Sequence, residues 1–185
     1  MNKKDAILSD KPQSFFPLPL GGRQGGGFLH QICNKIVDLT QASEIIEKWR
    51  KQGETLVFTN GCFDIIHKGH VYYLAQARDL GTKLIVGLNT DDSIRALKGA
   101  NRPVKELESR ALTLAAFGCV DLIVPFAEET PEKLIETLVP HVLVKGSDYS
   151  VETIVGAGVV LANGGSVRTI DFVQGFSSTN YCNKM

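Results

Sequence analysis

Short apolar runs alternate with amphipathic segments along most of this chain. The apolar runs are of strand length, and between them apolar residues recur at the three- and four-residue spacing of a helix that faces a core. Strands are predicted at residues 55–58, 83–89, 122–126, 141–144 and 167–172. Buried strands that alternate with helices predict an α/β fold, a doubly wound parallel sheet of about five strands in a single domain.

Helices are predicted in the segments between these strands. The first follows Thr40, which we interpret as its N-cap, and it presents Ile45, Ile46 and Trp49 along one side. Further helices are predicted at residues 71–78, from about 91, at 106–117, from about 131, at 151–162 and from about 178.

Residues 1–35 differ from the rest of the chain. Prolines and glycines crowd residues 15–27, and the segment has no usable periodicity. We interpret residues 1–35 as a flexible extension and residues 36–185 as the folded domain.

Composition narrows the class of protein. The chain is 43% apolar and 22% charged, and its 20 Lys and Arg balance its 20 Asp and Glu. It therefore has no net charge to attract nucleic acid or a membrane surface. No apolar stretch approaches the ~20 residues that span a bilayer, and no secretory signal is evident. Four scattered cysteines fit a reducing compartment, so we expect a cytoplasmic protein.

The most informative segment is Thr59 to His70, where a predicted strand turns into a helix. His67 and His70 lie at the start of that helix, whose unpaired backbone N–H groups and dipole attract anions. Gly61 and Gly69 allow a ligand to approach the backbone closely. The pair could instead bind a metal or be structural. However, zinc needs about four ligands, only His30 and His141 remain, and no CxxC pair occurs, so phosphate binding is favoured.

Polar residues also follow the other predicted strands. Ligands of parallel sheets bind beyond the carboxyl ends of the strands, so these residues can meet in one crevice. They include Asn89 and Asp91 after the second strand, Lys145 and Asp148 after the fourth, and residues 177–180 after the fifth.

The motif Gly61-x-Phe63-Asp64-x-x-His67-x-Gly69-His70 resembles the signature of the HxGH nucleotidyltransferases, the cytidylyltransferase-like superfamily. The resemblance implies a Rossmann-like fold and an enzyme that joins a phosphorylated small molecule to a nucleoside monophosphate, releasing pyrophosphate. It implies that His67 and His70 contact the triphosphate, that Mg²⁺ accompanies ATP, and that the chain forms a homodimer or a higher homo-oligomer.

Two further segments match the family. Lys98-Gly99, Arg102-Pro103-Val104 and Glu108-x-Arg110 match its substrate loop, and Ser177-Ser178-Thr179 matches its second phosphate signature. By resemblance, Lys98 joins the histidines as a catalytic residue, and Lys98 and Arg102 bind the substrate phosphate. The implied nucleotide-binding residues are Asn60, Gly61, Phe63, Asp64, Gly69, Asn89, Asp91, Arg110, Lys145, Gly146, Asp148, Ser177, Ser178 and Thr179.

Within the superfamily the chain is most similar to the adenylyltransferase domains of ADP-heptose synthesis, here too short to include a sugar kinase. The glycerol-3-phosphate branch carries Arg-Thr-Glu-Gly where this chain has residues 172–175, Phe-Val-Gln-Gly. The implied substrates are ATP and D-glycero-D-manno-heptose 1-phosphate. A cytidylyltransferase, an FMN adenylyltransferase and a catalytically silent nucleotide-binding module remain alternatives.

Overall fold

The structure, a computed structural model, describes residues 27–147 and 153–171 as one five-stranded parallel sheet with helices on both faces. The spatial order of the strands is β3-β2-β1-β4-β5. Their bounds are Leu56–Gly61 (β1), Lys83–Asn89 (β2), Leu122–Phe126 (β3), Val142–Gly146 (β4) and Ser166–Ile170 (β5). This arrangement confirms the Rossmann-like α/β fold predicted from the alternation of apolar and amphipathic segments.

Adjacent residues of each strand point to opposite faces of the sheet, because the side-chain period of a strand is two. In β1, Phe58 packs into a cluster with α2, α6 and α7, whereas Val57 packs into a second cluster with α3 and α5. Both side chains are fully buried. The helices are Phe28–Cys33 (α1), Leu39–Lys51 (α2), Lys68–Arg78 (α3), Asp91–Lys98 (α4), Leu107–Ala115 (α5), Glu132–Leu138 (α6) and Ala157–Ala162 (α7).

The order of the strands reverses beside β1. The chain runs from β1 outward through β2 to β3, and then returns to place β4 on the other side of β1. The helices that follow β1 and β4 therefore leave on opposite faces, and a crevice opens beyond the carboxyl ends of these two strands. The HxGH motif follows β1 directly, so it lies at this crevice.

The predicted extension ends earlier than residue 35. Residues 28–33 form α1, Ile32 packs against the α3–α5 side of the core, and Val37 N–H donates to the carbonyl of Ile123 at 3.0 Å. Glycine and proline content marked the segment as irregular, but its last residues form a helix that packs through Ile32, while Phe28 and Leu29 stay exposed. Residues 1–26 lie outside the described residues.

The N-cap of α2 is Asp38 and not Thr40. The Asp38 carboxylate accepts the backbone N–H of Gln41 at 2.8 Å, and the Gln41 side chain accepts the N–H of Asp38 at 3.2 Å. This reciprocal capping box satisfies two donors, which a Thr40 cap could not do. The seventh helix is also shorter than the predicted 151–162 and begins at Ala157. The helix predicted from about residue 178 lies outside the described residues.

No helix in the part of the chain that the structure describes is long and apolar enough to cross a membrane.

Gly87, in the middle of β2, is packed so closely by its neighbours that a larger residue does not fit. A Cβ at this position would lie 2.9 Å from Phe58 Cζ, 3.0 Å from Asn60 Cβ and 3.2 Å from Leu134 Cδ2. We expect Gly87→Ala to lower the free energy of unfolding by about 1–3 kcal/mol, because the core must be overpacked to accept the methyl group. Chemical denaturation measures this difference.

Gly118→Ala is the matched control, since nothing lies within 4 Å of a Cβ built there. Its free energy of unfolding should stay within about 1 kcal/mol of wild type. Equal losses in the two variants would contradict the packing described at Gly87.

Candidate active site

The crevice is lined by the residues that end β1, β2 and β4. Asn60 lies near the end of β1 and Lys145 near the end of β4, and Lys145 Nζ donates to Asn60 Oδ1 at 2.5 Å. A lysine and an amide from neighbouring parallel strands are therefore joined across the switch in strand order. The structure thus brings these two predicted site residues together.

The histidine pair is built by the first turn of α3. His67 is the N-cap residue of this helix and His70 is its third residue. The backbone N–H of His67 donates to Nδ1 of His70 at 3.3 Å, and the two rings lie with centroids 3.9 Å apart. The same contact that caps the helix fixes the ring of His70. Because Nδ1 of His70 accepts a hydrogen bond, the proton of its neutral form is on Nε2, which is a donor.

Both histidines are held neutral. Burial lowers the pKa of His67. Burial, followed by the charges of His67 and Lys98, lowers the pKa of His70 from 6.5 to about 4. The positive charge of Lys98, the last residue of α4, is the third contribution to this lowered pKa. At neutral pH the pair is therefore uncharged and offers hydrogen-bond donors.

The turn between β1 and α3 is strained at Phe63. Its φ of 43° lies in the left-handed region, which is uncommon for a bulky residue. The buried ring of Phe63 lies 5.4 Å from the His70 ring, and a Cβ on Gly61 would approach the Phe63 ring to 3.1 Å. The motif's glycine thus leaves room for the phenylalanine that packs behind the second histidine.

Asp64 is buried and holds the loop that carries Arg102. Its Oδ1 accepts the N–H groups of Val104 at 2.8 Å and Lys105 at 2.9 Å, and its Oδ2 accepts Nε of Arg102 at 2.7 Å. Burial raises the pKa of the Asp64 carboxyl, but the Lys105 and Val104 amides and Arg102 outweigh burial and leave it lowered. Asp64 is therefore ionised and fully engaged with this loop.

Arg110 joins three segments of the site. Its fully buried guanidinium donates to the carbonyl of Lys105 at 2.9 Å through Nε, to the carbonyl of Cys62 at 2.7 Å through Nη1, and to Asp91 Oδ1 at 2.7 Å through Nη2. Arg110 thereby ties three segments to α5: the substrate loop (residues 99–106), the HxGH turn and the first turn of α4. Arg110 and Asp91, both predicted to bind nucleotide, are paired with each other in this structure.

Asn89 also makes its contacts within the protein. Its Nδ2 donates to Ser93 Oγ at 2.9 Å, and Ser93 Oγ donates to the carbonyl of Glu128 at 3.3 Å. These bonds fix the start of α4 at the end of β2. Asn89 is buried, and its contacts in this structure are structural.

The structure thus places most of the predicted site residues that it describes at the ends of β1, β2 and β4 or in the segments that follow these strands. Asp148, Ser177, Ser178 and Thr179 lie outside the described residues. The sequence analysis missed three backbone groups. The carbonyls of Cys62 and Lys105 accept hydrogen bonds from Arg110, and the N–H of Val104 donates to Asp64. No sequence signal could reveal them, because every residue carries these backbone groups. Among residues 27–147 and 153–171, no three His, Cys, Asp or Glu side chains form a metal-binding group.

A Rossmann-like sheet with an HxGH turn at its switch point defines the nucleotidyltransferase class of α/β proteins. The profile of the Cytidylyltransferase-like family matches residues 58–163 of this chain. The chain belongs to this family, which confirms the resemblance found in its motifs.

Three similar proteins carry the name Bifunctional protein HldE. The chain is 52% identical to that of Rhodospirillum rubrum over 147 residues, which are 80% of this chain and 30% of the relative. It is 51% identical to that of Pseudomonas paraeruginosa and 52% identical to that of Caulobacter vibrioides, covering 81% and 82% of this chain and 32% and 31% of the relatives. The chain therefore spans about a third of the length of these relatives.

Solved structures share the fold. A lipopolysaccharide core biosynthesis protein from Thermoplasma volcanium superposes with a TM-score of 0.53 at 24% identity, over 65% of this chain and 97% of that one. A pantoate-beta-alanine ligase from Francisella tularensis superposes with a TM-score of 0.56 at 15% identity, over 80% and 72%. At these identities the likeness shows the fold alone.

Removing the Arg110 guanidinium should destabilise the protein strongly. Arg110→Met keeps the length of the side chain but leaves the carbonyls of Cys62 and Lys105 and the Asp91 carboxylate without their donor. We expect the free energy of unfolding to fall by roughly 3–5 kcal/mol, as measured by chemical denaturation.

Arg95→Met is the matched control on α4, because Arg95 is 48% exposed and pairs only across one turn with Asp92. Its loss should stay below about 1 kcal/mol, as is usual for a surface ion pair. A comparable loss in both variants would show that the buried guanidinium is not a structural hub.

The lowered pKa of His70 should make folding sensitive to acid. The neutral form is favoured in the folded state, so the contribution of His70 to stability is complete above about pH 6.5 and is lost as the pH falls from there through about 4. His70→Gln should preserve the cap, since Gln can accept the His67 N–H, but it removes the titration. We expect denaturation at pH 7.5 and pH 5 to show a smaller loss of stability in this variant than in wild type. Equal losses would contradict the lowered pKa.

Proposed function

We propose that this chain transfers AMP from ATP to D-glycero-D-manno-heptose 1-phosphate, giving ADP-heptose and pyrophosphate for the lipopolysaccharide inner core. The observation that carries the proposal is the histidine pair at the N-terminus of α3, whose ring centroids lie 3.9 Å apart and which burial holds neutral. Family membership supports the reaction class. The choice of substrates follows from the similarity of the residue 97–104, 144–149 and 177–180 segments to the ADP-heptose branch.

The proposed chemistry makes modest demands on the protein. A phosphate oxygen of the sugar phosphate attacks the α-phosphorus of ATP in line. The bond from that phosphorus to the oxygen bridging the α- and β-phosphates breaks, and pyrophosphate departs with the electron pair. The attacking phosphate is already ionised, so no protein nucleophile or strong base is needed. Positioning and electrostatic stabilisation provide the catalysis.

His70 suits the stabilising role because it is neutral and carries its proton on Nε2. A donor that is held in place by its own Nδ1 contact loses little freedom when a phosphate oxygen arrives. The N-terminus of α3 adds the positive end of the helix dipole. Lys98 supplies the point charge, which offsets the negative charge that gathers between the two phosphates.

We propose that Mg²⁺ enters with ATP and is held mainly by the triphosphate oxygens, where it neutralises their charge. Mg²⁺ commonly binds through substrate phosphates and one or two carboxylates, and does not require a protein cage. The described residues fit this use, since Asp64 is engaged by the substrate loop and Asp91 by Arg110. We also propose a cytoplasmic location, where ATP is available. Self-association stays a prediction of the resemblance.

The first experiment is a pyrophosphate-release assay with Mg²⁺. ATP and CTP are crossed against both anomers of the heptose 1-phosphate, glycerol 3-phosphate and FMN. Turnover restricted to ATP with a heptose 1-phosphate is the expected result. Turnover with CTP or with another acceptor would move the chain to a different branch of the family. Nucleotide binding without turnover of any pair would identify a silent binding module.

Each histidine of the pair should be required for turnover. We expect His67→Ala and His70→Ala to lower kcat by roughly 10²–10³, the size of effect seen when one preorganised donor is removed. His30→Ala, at an exposed position of α1, is the control and should keep wild-type kcat. A folded variant of the pair with near wild-type turnover would refute the role of that histidine.

A further inference from the structure

The segment between α4 and α5, residues 99–106, is held in place chiefly by polar contacts. We call it the substrate loop. Its residues are largely exposed, and Val104 keeps 47% of its surface in contact with solvent. Apolar burial therefore contributes little to its conformation. Two buried charges form bonds to it from the rest of the protein, the carboxylate of Asp64 and the guanidinium of Arg110.

Asp64 makes the larger share of these contacts. Its side chain is 1% exposed, and it accepts two consecutive backbone N–H groups, those of Val104 and Lys105. It also accepts Nε of Arg102, and Nη2 of Arg102 lies 2.7 Å from the same oxygen. Both oxygens of the carboxylate are thus engaged by one loop, and charge-assisted bonds of this kind are about twice as strong as neutral ones.

The position of Asp64 makes these contacts relevant to the reaction. Asp64 is three residues before His67, in the same turn that delivers the histidine pair to α3. At the other end, the substrate loop begins directly after Lys98 and contains Arg102, the two residues assigned to the acceptor phosphate. The contacts of Asp64 therefore set the distance between the groups for the acceptor phosphate and the groups for the triphosphate.

We infer that Asp64 is a positioning residue, which fixes the substrate loop to the histidine turn so that Lys98 and Arg102 meet the acceptor phosphate. This inference rests on the proposed function and replaces the expectation that Asp64 itself binds nucleotide. In-line transfer requires the attacking oxygen to lie about 3–3.5 Å from the α-phosphorus, so a loop displaced by 1 Å would slow the reaction. Asp64 acts on the acceptor side of the site, through the loop.

Asp64→Asn tests the inference because it keeps the shape of the side chain, removes its charge and replaces one acceptor by a donor. In the full-length protein, we expect amide hydrogen exchange of Val104 and Lys105 to accelerate at least about tenfold, while the strands exchange as in wild type. The KM for the sugar phosphate should rise about 10- to 100-fold, and the Kd for ATP, measured by calorimetry, should change less than about threefold. Asp92→Asn, at an 88% exposed side chain on α4, is the matched control and should match wild type in all three measurements.

Arg102→Gln separates the ion pair from the backbone contacts. The amides of Val104 and Lys105 keep their bonds to Asp64 in this variant, so their exchange should stay within about threefold of wild type while the KM for the sugar phosphate rises. A variant with both Asp64→Asn and Arg102→Gln should show an increase in the KM for the sugar phosphate well below the product of the two single increases. The reason is that both substitutions act on the same loop.

Three outcomes would overturn the inference. The first is an Asp64→Asn protein that loses tenfold or more in ATP affinity while its loop amides exchange as in wild type, which would place Asp64 on the nucleotide. The second is a control variant with the same effects as Asp64→Asn. The third needs no variant: wild-type amides of Val104 and Lys105 that exchange as fast as that of Asn101, which makes no such contact with Asp64.

Failure of the proposed function would be visible separately. Amide exchange and ATP affinity require no sugar phosphate, so both can be measured even if the heptose 1-phosphate is not turned over. Wild-type protein that shows protected loop amides and no turnover would refute the substrate and retain the role of Asp64 in holding the loop.

Discussion

The site depends on the requirement that a buried charge be paired. The guanidinium of Arg110 lies inside the protein, where an unpaired cation would cost several kcal/mol, and its three contacts come from three different segments. The HxGH turn, the start of α4 and the end of the substrate loop can each move only if one of these contacts breaks. Arg110 thus connects three segments that are separate along the chain.

Asp64 applies the same constraint with the opposite charge. Together the two residues hold the substrate loop. Asp64 accepts hydrogen bonds from the backbone N–H groups of Val104 and Lys105, and Arg110 donates to the carbonyl of Lys105. The loop is therefore largely exposed and is still held by polar contacts. In the function that we propose, these two charges position the loop, and other groups contact the phosphates.

Those other groups divide the electrostatic task. The histidine pair is neutral because burial lowers the pKa of both rings, and Lys98 reinforces this effect on His70. In the proposed reaction the pair acts through directed hydrogen bonds, whereas Lys98 and the N-terminus of α3 supply the positive potential for a polyphosphate. The left-handed backbone of Phe63 places its apolar ring next to the ring of His70.

The sequence by itself determined the alternation of strands and helices, the limits of β2 and β3, the position of the HxGH turn and the family. These features follow from periodicity and from contiguous motifs, which are local. Tertiary structure alone decided the partners of Asp64 and Arg110, the left-handed backbone of Phe63 and the inclusion of α1 in the fold. Asp64 meets Arg102 across 38 positions, and Arg110 meets the carbonyl of Cys62 across 48. A residue's type shows what bonds it can make, but only the folded chain brings a particular partner within reach.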